Sequence, residues 1–371
     1  MTLVIAGGGT AGHVLPALAV ARALVARGHA SGDIQFVGSS RGIEARIVAE
    51  AGFPITLLPG RGLARRLTPA NVGAVVGLSL AAVRALRLVA RWRPSVILAV
   101  GGYASVPCAV AAVLLRVPLV LHDQNAVPGL ANRLAGRFAR ASAVSFEATL
   151  LPRAVVTGNP VRTEVLAADR SPAGRRAARQ ALGLASTGLV LAVFGGSLGA
   201  RRINEAVADL VRTWSPGTEL TLYHVVGSRD WGSRNWTSRD RAGVAQDGLD
   251  YRTVEYEERM PLLLAAADVA LCRAGGTSVA ELAAVGLASV LVPLPSAPGD
   301  HQTANAGALV QAGAAVMVPD HELTAERLAA ELEPLLGDPG RIATMGKAAL
   351  ALARPDAAER VAALLERHAR P

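Results

Sequence analysis

Short runs rich in Val, Ile and Leu alternate with longer stretches of Ala, Leu and Arg along the first half of the chain. The short runs are almost continuously apolar, and the stretches between them repeat their apolar positions at helical spacing. Such alternation is typical of a parallel sheet that helices cover on both faces. The pattern predicts strands within TLVIAG (2–7), IQFVGS (34–39), SVILAVG (95–101), PLVLHD (118–123) and AVVTGN (154–159).

The same pattern restarts in the second half. Further strands are predicted within LVLAVFGG (189–196), TLYHVVG (221–227), VALCRAG (269–275) and SVLVPLP (289–295). We therefore expect an α/β protein with two doubly wound parallel-sheet domains, 1–162 and 163–350, joined where Gly, Asn and Pro interrupt the pattern. A last helix within 351–371 is expected, and packing back on the first domain is one arrangement open to it.

Charge is distributed unevenly between the halves. Residues 1–165 contain 17 Arg and six acidic residues, whereas residues 166–371 contain 21 basic and 23 acidic residues. A basic half favours anionic partners such as nucleic acid, anionic lipid or phosphorylated substrates. A general preference for Arg over Lys explains the type of base, since Lys347 is the only lysine, but it does not explain the asymmetry.

The composition excludes several other classes. Cys108 and Cys272 lie in apolar runs without metal-ligand neighbours, which predicts buried thiols in a reducing compartment. We expect no signal peptide, because no basic segment precedes an apolar stretch at the N-terminus. The longest apolar runs, 70–83 and 106–115, are shorter than the roughly 20 residues that span a bilayer. The protein should be soluble or lie on a membrane surface.

Four glycine loops follow predicted strands and open helices, at 7–13, 101–107, 194–204 and 273–281. Ligands of doubly wound sheets bind outside the carboxyl ends of the strands. Glycine lets the backbone approach a ligand, and a helix start offers free N–H groups and partial positive charge. The loops therefore favour a phosphate-rich substrate, although each alone also fits a tight turn between strand and helix.

The first loop matches the dinucleotide fingerprint, with Gly7, Gly9 and Gly12 in the Gly-x-Gly-x-x-Gly spacing. A nicotinamide site also needs an acid near the end of the second strand to bind the ribose. That strand ends in FVGSSRG, which has no acid, and Arg41 leaves NADP open. The repeat of glycine loops in the second domain argues against an NADP enzyme.

Glycosyl transfer accounts for more of these features. Glu281, in the helix after the fourth loop, can accept hydrogen bonds from both ribose hydroxyls. His13, at the first helix start, can act as general base, because the ordinary pKa of histidine is about 6.5. The polar segments HDQN (122–125) and GDHQTAN (299–305) follow apolar strands. The alternatives are a solvated helix acid for Glu281 and a capping or packing role for His13.

Seven motifs in order resemble the MurG family of glycosyltransferases over nearly the whole chain. They are GGTAGH, GGYASVP, HDQNAVPGLANRLA, GNPVRTEV, GGSLGARRIN, CRAGGTSVAELAAVGLASVLVP and HQTANA. The family, in glycosyltransferase family 28, comprises the UDP-N-acetylglucosamine:undecaprenyl-pyrophosphoryl-MurNAc-pentapeptide N-acetylglucosaminyltransferases of bacterial cell-wall synthesis.

The resemblance implies a GT-B fold, in which two Rossmann-like domains surround a deep cleft. It implies an inverting hexosyltransferase without metal or cofactor, which converts lipid I to lipid II for peptidoglycan synthesis, cell shape and cell division. The N-terminal domain would bind the acceptor and the membrane, and the C-terminal domain UDP-N-acetylglucosamine. The implied location is peripheral, on the cytoplasmic face of the cell membrane. Other cell-wall and division proteins are possible partners, and nucleic acid is not expected.

The resemblance also implies roles for individual residues. His13 matches the proposed base, Glu281 the ribose acid, and Arg162 and Ser197 the diphosphate contacts. The implied donor-binding set is Thr10, Ala11, Gly12, His13, Asn125, Arg162, Ser197, Gly276, Thr277, Ser278, Glu281, His301, Gln302 and Asn305. The implied acceptor side is Gly101, Gly102, Tyr103, Ala104, Ser105 and Asn125.

Four positions depart from the family pattern. Ala11 stands where the family commonly has Gly, and Leu198 replaces a frequent Gln. Glu257 stands where an apolar residue usually neighbours the uracil, and His301 stands where Gln is common.

The segment 61–94 combines an apolar helical stretch with many arginines. The arginines expected at a membrane are Arg65, Arg66, Arg84, Arg87 and Arg91. Apolar area flanked by Arg suits an interfacial surface on anionic lipid. The alternative is an ordinary amphipathic core helix with a solvated Arg face, and a lipid-anchored substrate favours the membrane interpretation.

Other functions remain open from the sequence. One is a related glycolipid transferase that uses another sugar or a diacylglycerol acceptor. Another is a nucleotide-binding module without catalysis, which would need no histidine at position 13.

Overall fold

The computed structural model describes residues 1–40, 42–59, 70–196, 198–213, 217, 219–232 and 248–371, with the side chains of 70–76 left out of the description. The chain divides into two compact units. The first unit comprises Met1–Arg162 and Arg354–Pro371, and the second comprises Thr163–Ala353.

Thirteen strands are found in the described part of the chain, and all of their pairings are parallel. Those of the first unit are β1 Leu3–Ala6, β2 Ile34–Ser39, β3 Ile55–Leu58, β4 Val96–Ala99, β5 Leu119–Asp123, β6 Ala141–Val144 and β7 Ala154–Val156. Those of the second unit are β8 Leu189–Phe194, β9 Leu220–Val225, β10 Leu249–Val254, β11 Val269–Cys272, β12 Ala288–Leu291 and β13 Ala315–Met317.

Helices connect these strands. They are α1 Ala11–Ala26, α2 Glu44–Glu50, α3 Ala70–Trp92, α4 Ser105–Leu114, α5 Leu130–Ala135, α6 Thr163–Leu166, α7 Pro172–Ala181, α8 Arg201–Thr213, α9 Ser228–Trp231, α10 Met260–Ala266, α11 Gly276–Val285, α12 His301–Gln311, α13 Ala325–Leu336, α14 Pro339–Ala351 and α15 Ala357–His368.

Each unit contains one sheet with a reversal of strand order. The orders are β3-β2-β1-β4-β5-β6-β7 and β10-β9-β8-β11-β12-β13. The order reverses between β1 and β4 in the first sheet and between β8 and β11 in the second. These are the topological switch points, beyond whose carboxyl ends doubly wound sheets bind their ligands. The prediction of two doubly wound parallel sheets is confirmed.

The central strands are buried on both faces, which explains their nearly continuous apolar sequences. In the first unit, one core joins the sheet to α1 and α15, and a second core joins its other face to α3 and α4. Helix α15 is tied to the end of α1 by Glu366, whose carboxylate accepts hydrogen bonds from Arg27 Nε at 3.1 Å. The C-terminal helix therefore completes the first unit.

In the second unit, one core joins β8, β9 and β11 to α8 and α13. Asp268, directly before β11, connects β8 to α7. Its Oδ2 accepts hydrogen bonds from Val190 N at 2.7 Å and from Arg179 at 2.8 Å. Cys108 and Cys272 are buried free thiols, as predicted. Burial raises the pKa of the Cys108 thiol to about 12.

Candidate functional site

Two glycine loops meet at the switch point of the first sheet. One follows β1 and the other follows β4, and Gly8 N donates to Gly101 O at 3.3 Å. Gly102 has a φ of +80°, and a Cβ there would overlap with the carbonyl of Gly8. Only glycine fits this position, because a side chain would force the two loops apart. The loops are therefore locked together beyond the carboxyl ends of β1 and β4.

His13 lies in the first turn of α1 and packs over the second loop. A Cβ on Gly101 would lie 2.9 Å from His13 Cδ2 and 3.0 Å from Nε2. The His13 Nδ1 and Thr10 Oγ1 atoms are 3.1 Å apart and share a hydrogen bond. Thr10 is the N-cap residue of α1, and Ala11 and Gly12 are its first two helical residues. The structure thus places the predicted base against the predicted acceptor loop.

The acceptor-side residues after Gly102 serve mainly to hold the second loop. Ser105 Oγ, in the first residue of α4, donates to Gly102 O at 2.8 Å and so links the helix start to the loop. Tyr103 OH donates to Pro59 O at 2.9 Å, and partial burial raises the pKa of this phenol. Ala104 is buried at the N-cap position of α4. The loop therefore presents backbone, rather than free polar side chains, along most of its length.

The HDQN segment ends β5 in the same unit. Asp123 is buried, and its carboxylate accepts from Asn125 N at 3.0 Å, Gly129 N at 3.1 Å and Asn132 Nδ2 at 2.9 Å. Asp123 therefore holds the segment's backbone and is poorly suited to act as a base. Asn125 is half-buried on this loop, beside the sheet edge where ligands bind.

His122 is a fully buried imidazole close enough to His13 for their charges to interact. Burial, and next the charge of His13, lower the pKa of His122 to about 4, against a hydrogen bond with the backbone of Gly158. Its Nε2 has no hydrogen-bond partner. His122 is consequently neutral at pH 7 and adds no positive charge beside His13.

In the second unit the switch point lies between the loops after β8 and β11. The β8 loop packs closely on the β9 loop. Gly199 has a φ of +83°, and the packing leaves no room for a side chain there, since a Cβ would overlap with Val226 O. Leu198 is exposed on this loop, and Ser197 lies outside the described residues. Arg162, the other predicted diphosphate contact, is half-buried at the end of the first unit's main segment.

The β11 loop opens α11, whose first turn contains Gly276, Thr277 and Ser278. Glu281, one turn further along, is only 8% exposed. Its charge contributes, after burial, to raising the pKa of the neighbouring Cys272 thiol at the end of β11. A carboxylate this buried on a core helix needs partners, which disfavours the solvated-acid alternative.

Helix α12 braces the same loop. Asn305 is fully buried, and its Nδ2 donates to Ala274 O at 3.0 Å. Gln302 Oε1 accepts from Leu294 N at 2.9 Å, and His301 Nδ1 donates to Pro298 O at 2.9 Å. The structure therefore brings Asn305 to the α11 loop, whereas His301 and Gln302 stabilise the turn before α12.

Glu257 is buried and belongs to a polar cluster rather than to an open surface. Its Oε2 accepts from Tyr223 OH at 2.5 Å, and its Oε1 accepts from Arg259 N at 2.8 Å. Burial raises and these hydrogen bonds lower the pKa of Glu257, with a net decrease. The side chain is thereby committed to internal partners.

The sequence did not predict the positions of two buried polar residues, Glu44 and His224. Glu44 accepts hydrogen bonds from the backbones of Gly9 and Ser39. His224 is buried between Tyr251 OH, at 2.9 Å, and Asn204 Oδ1, at 3.0 Å. Neither residue belongs to one of the seven motifs, and the only sequence signal near either is the pair of glycines, Gly38 and Gly42, close to Glu44.

The predicted membrane helix has one face in the core. Ala81, Ala85 and Val89 of α3 are buried, whereas Arg84, Arg87 and Arg91 are exposed. Arg65 and Arg66 lie outside the described residues. Exposed apolar side chains continue over α3, α4 and the segment after them, namely Leu80, Val83, Val110, Val113, Leu114, Leu130, Leu134 and Phe138. These side chains lie on α3, on α4, on α5 and at Phe138, and we call the surface that they form the α3–α5 face.

The described residues contain neither a candidate metal site nor a candidate membrane-spanning helix. Among them, no group of three or more His, Cys, Asp or Glu side chains could hold a metal ion. Nor does any described helix have the length and apolar character needed to cross a membrane.

Comparison with known proteins matches both halves of the chain. The model of the glycosyltransferase family 28 N-terminal domain matches residues 3–144, and that of the family 28 C-terminal domain matches residues 190–361. The crystal structure of Acinetobacter baumannii MurG is similar with a TM-score of 0.76 and 28% identity over 99% of each chain. The fold class is therefore GT-B, as predicted.

Curated relatives are similar over their full length. The UDP-N-acetylglucosamine--N-acetylmuramyl-(pentapeptide) pyrophosphoryl-undecaprenol N-acetylglucosamine transferase of Acidothermus cellulolyticus is 42% identical, with coverage of 100% of this chain and 98% of the relative. The protein of the same name from Nocardioides sp. is 42% identical, with coverage of 98% and 97%.

Proposed function

The chain belongs to glycosyltransferase family 28, and we propose on this premise that it transfers N-acetylglucosamine from UDP-N-acetylglucosamine to the 4-hydroxyl of MurNAc in lipid I. The product is lipid II, the precursor of peptidoglycan. The observation that carries this proposal is 42% identity to named transferases across the whole chain. The positions of His13 and Glu281 beside switch-point loops support it.

The second unit is proposed to hold the donor. The loop after β8 offers backbone N–H groups at the start of α8, which suit a diphosphate. Glu281 lies in the second turn of α11, and its carboxylate can accept hydrogen bonds from ribose hydroxyls. Ser197, Arg162, Thr277 and Asn305 remain proposed contacts or supports of this site.

The first unit is proposed to supply the base. Attack of a sugar hydroxyl on the anomeric carbon is aided by a group that accepts the hydroxyl proton in the transition state. His13 can do so at the ring nitrogen that carries the lone pair. Which nitrogen this is depends on the hydrogen bond with Thr10, since the second nitrogen of a neutral imidazole carries the proton.

We further propose that the first unit binds the cytoplasmic face of the cell membrane through the α3–α5 face. Its exposed apolar side chains lie beside Arg84, Arg87 and Arg91, which would meet anionic headgroups. A groove of about 320 Å³ between the end of α4 and Phe138 adds Arg116, Arg140 and Arg153 to this basic surface. Other cell-wall and division proteins are proposed as partners only through the family resemblance.

The test is turnover of UDP-N-acetylglucosamine with a short-chain lipid I analogue. We expect release of UDP and formation of the disaccharide product, with no loss of activity in EDTA. Transfer to diacylglycerol but not to the lipid I analogue would contradict the proposed acceptor. Loss in EDTA that Mg²⁺ or Mn²⁺ restores would contradict metal independence.

A further inference from the structure

Glu44 is a buried carboxylate at the start of α2, only 1% exposed. Its Oε2 accepts from Gly9 N at 2.9 Å, in the loop after β1. Its Oε1 accepts from Ser39 N at 2.6 Å, at the end of β2. One side chain thus joins the ends of two neighbouring strands, with a backbone N–H on each oxygen.

The surrounding backbone is shaped to admit this side chain. A Cβ at Gly8, Gly38 or Gly42 would overlap with atoms of Glu44. Gly8 follows β1, Gly38 lies in β2 and Gly42 precedes α2, and together they leave room for one carboxylate. Such crowding of backbone around an anion is usually found where a glycine loop binds a phosphate.

We propose that Glu44 is an internal anion that fixes the first glycine loop in the place of a ligand phosphate, and that it thereby positions His13. In a dinucleotide-binding fold, the glycine loop after β1 approaches a pyrophosphate. Here the N–H of Gly9 is already donated to the protein's own carboxylate. The first loop then serves the base rather than the nucleotide.

The path from Glu44 to His13 is short. Gly9 is followed directly by Thr10, which caps α1 and bonds the His13 ring. Gly8, directly before Gly9, donates its N–H to Gly101 O, and the edge of the His13 ring packs against Gly101. Release of Gly9 would therefore loosen both supports of the imidazole. The catalytic consequence rests on the proposed role of His13 as base.

The test compares E44Q and E44A with E50A. Glu50 lies in the same helix but is exposed, where it pairs with Arg46 at 3.5 Å, so E50A should behave as wild type. In E44Q, an amide –NH₂ faces one of the two backbone N–H donors, and kcat should fall by about 10²-fold, as for a misplaced catalytic group. The affinity for UDP should not change, because the second unit is proposed to bind it.

Chemical rescue separates an anion's role from general packing. In E44A, added formate should restore part of the lost kcat, whereas formamide, of similar size but neutral, should not. Circular dichroism establishes which variants are folded. If E44A is unfolded, the kcat of folded E44Q decides the test without the rescue experiment. Wild-type kcat in E44Q, or equal rescue by formate and formamide, would overturn the proposal.

A readout without turnover keeps this proposal distinct from the proposed function. The ring signals of His13 in NMR spectra, assigned by their loss in H13A, should shift in E44Q and remain unchanged in E50A. If the wild type transfers no sugar, the proposed function fails, while these signals still test Glu44. An unshifted His13 ring in folded E44Q would show that Glu44 does not position it.

Discussion

The two units share a sheet topology but differ in what their first glycine loops contact. In the first unit, the β1 loop packs on the β4 loop across the switch point, with Gly102 against Gly8. In the second unit, the β8 loop packs on the β9 loop, on the opposite side, with Gly199 against Gly227. The two sheets thus have the same strand order but different first loops. The β1 loop positions His13, whereas the β8 loop is suited to a diphosphate.

The difference shows that a glycine loop at a switch point does not by itself identify a nucleotide site. In the first unit, Glu44 already accepts the N–H of Gly9. The fingerprint Gly7, Gly9 and Gly12 is present there, yet the contacts favour close packing of backbone and the placement of His13. We propose a division of labour on this basis, in which the first unit supplies the base and the second unit chiefly binds the donor.

The largest expected effect is a loss of kcat when the proposed base in the first unit is replaced. His13→Ala should lower kcat by about 10²–10⁴-fold, the usual contribution of a general base. His13→Asn should not restore activity, because an amide keeps hydrogen bonding but not basicity. Steady-state kinetics with the lipid I analogue measure both. More than about a tenth of wild-type kcat in His13→Ala would place the base elsewhere.

The units should also respond separately to acid, each through one buried histidine. The pKa of His122 is lowered to about 4 and that of His224 to about 3, in both cases chiefly by burial. The unfolded chain therefore binds more protons than the folded one between pH 4 and 6.5. Stability is fully present above pH 6.5 and is lost as pH falls, by about 2 kcal/mol per histidine between pH 7.5 and 5.

Hydrogen exchange measured by mass spectrometry can follow this loss in each unit. Peptides that cover β5 and β9 report the opening free energies near His122 and His224. H122Q should reduce the pH dependence only for β5, and H224Q only for β9. Opening free energies that are equal at pH 5 and 7.5 in the wild type would contradict the prediction.

A smaller effect is expected at the membrane. Replacement of Arg84, Arg87 and Arg91 by Glu should weaken binding to anionic vesicles at least about tenfold at low salt, because each Arg loses its attraction to headgroups. Turnover of a water-soluble acceptor should not change, since the three side chains are exposed on α3. A matched triple replacement of Arg202, Arg212 and Arg341 in the second unit is the control. Equal sedimentation with neutral and anionic vesicles would contradict the electrostatic part.

The features predicted correctly from the sequence are those that depend on residues close to one another along the chain. Apolar runs followed by glycine located β1, β4, β8 and β11 with their loops, because strand, turn and helix start are encoded within about ten residues. The sequence pattern missed β3, β6, β10 and β13. Strand β10 alternates buried and half-buried residues at a sheet edge, and β13 has only three residues. Neither resembles the continuous apolar runs of central strands.

Long-range contacts could not be predicted in this way. Glu44 meets Gly9 from 35 residues away, and Glu257 meets Tyr223 from 34 residues away. Apart from the glycines around Glu44, nothing in the local sequence distinguishes these acids from surface ones. The position of Glu257 near a uracil came from the family pattern, whereas its committed hydrogen bonds became visible only in the folded chain.

UDP affinity of Glu281→Ala and His13→Ala, measured by calorimetry, tests the division of labour most directly. The buried Glu281 carboxylate is proposed to bind the ribose, so its loss should cost about 1.5–3 kcal/mol, the range for a hydrogen bond to a charged group. Glu281→Gln should fall between wild type and alanine. His13→Ala should bind UDP as the wild type does, although it is nearly inactive. Unchanged UDP affinity in Glu281→Ala, or a comparable loss in His13→Ala, would contradict the proposal that the second unit chiefly binds the donor.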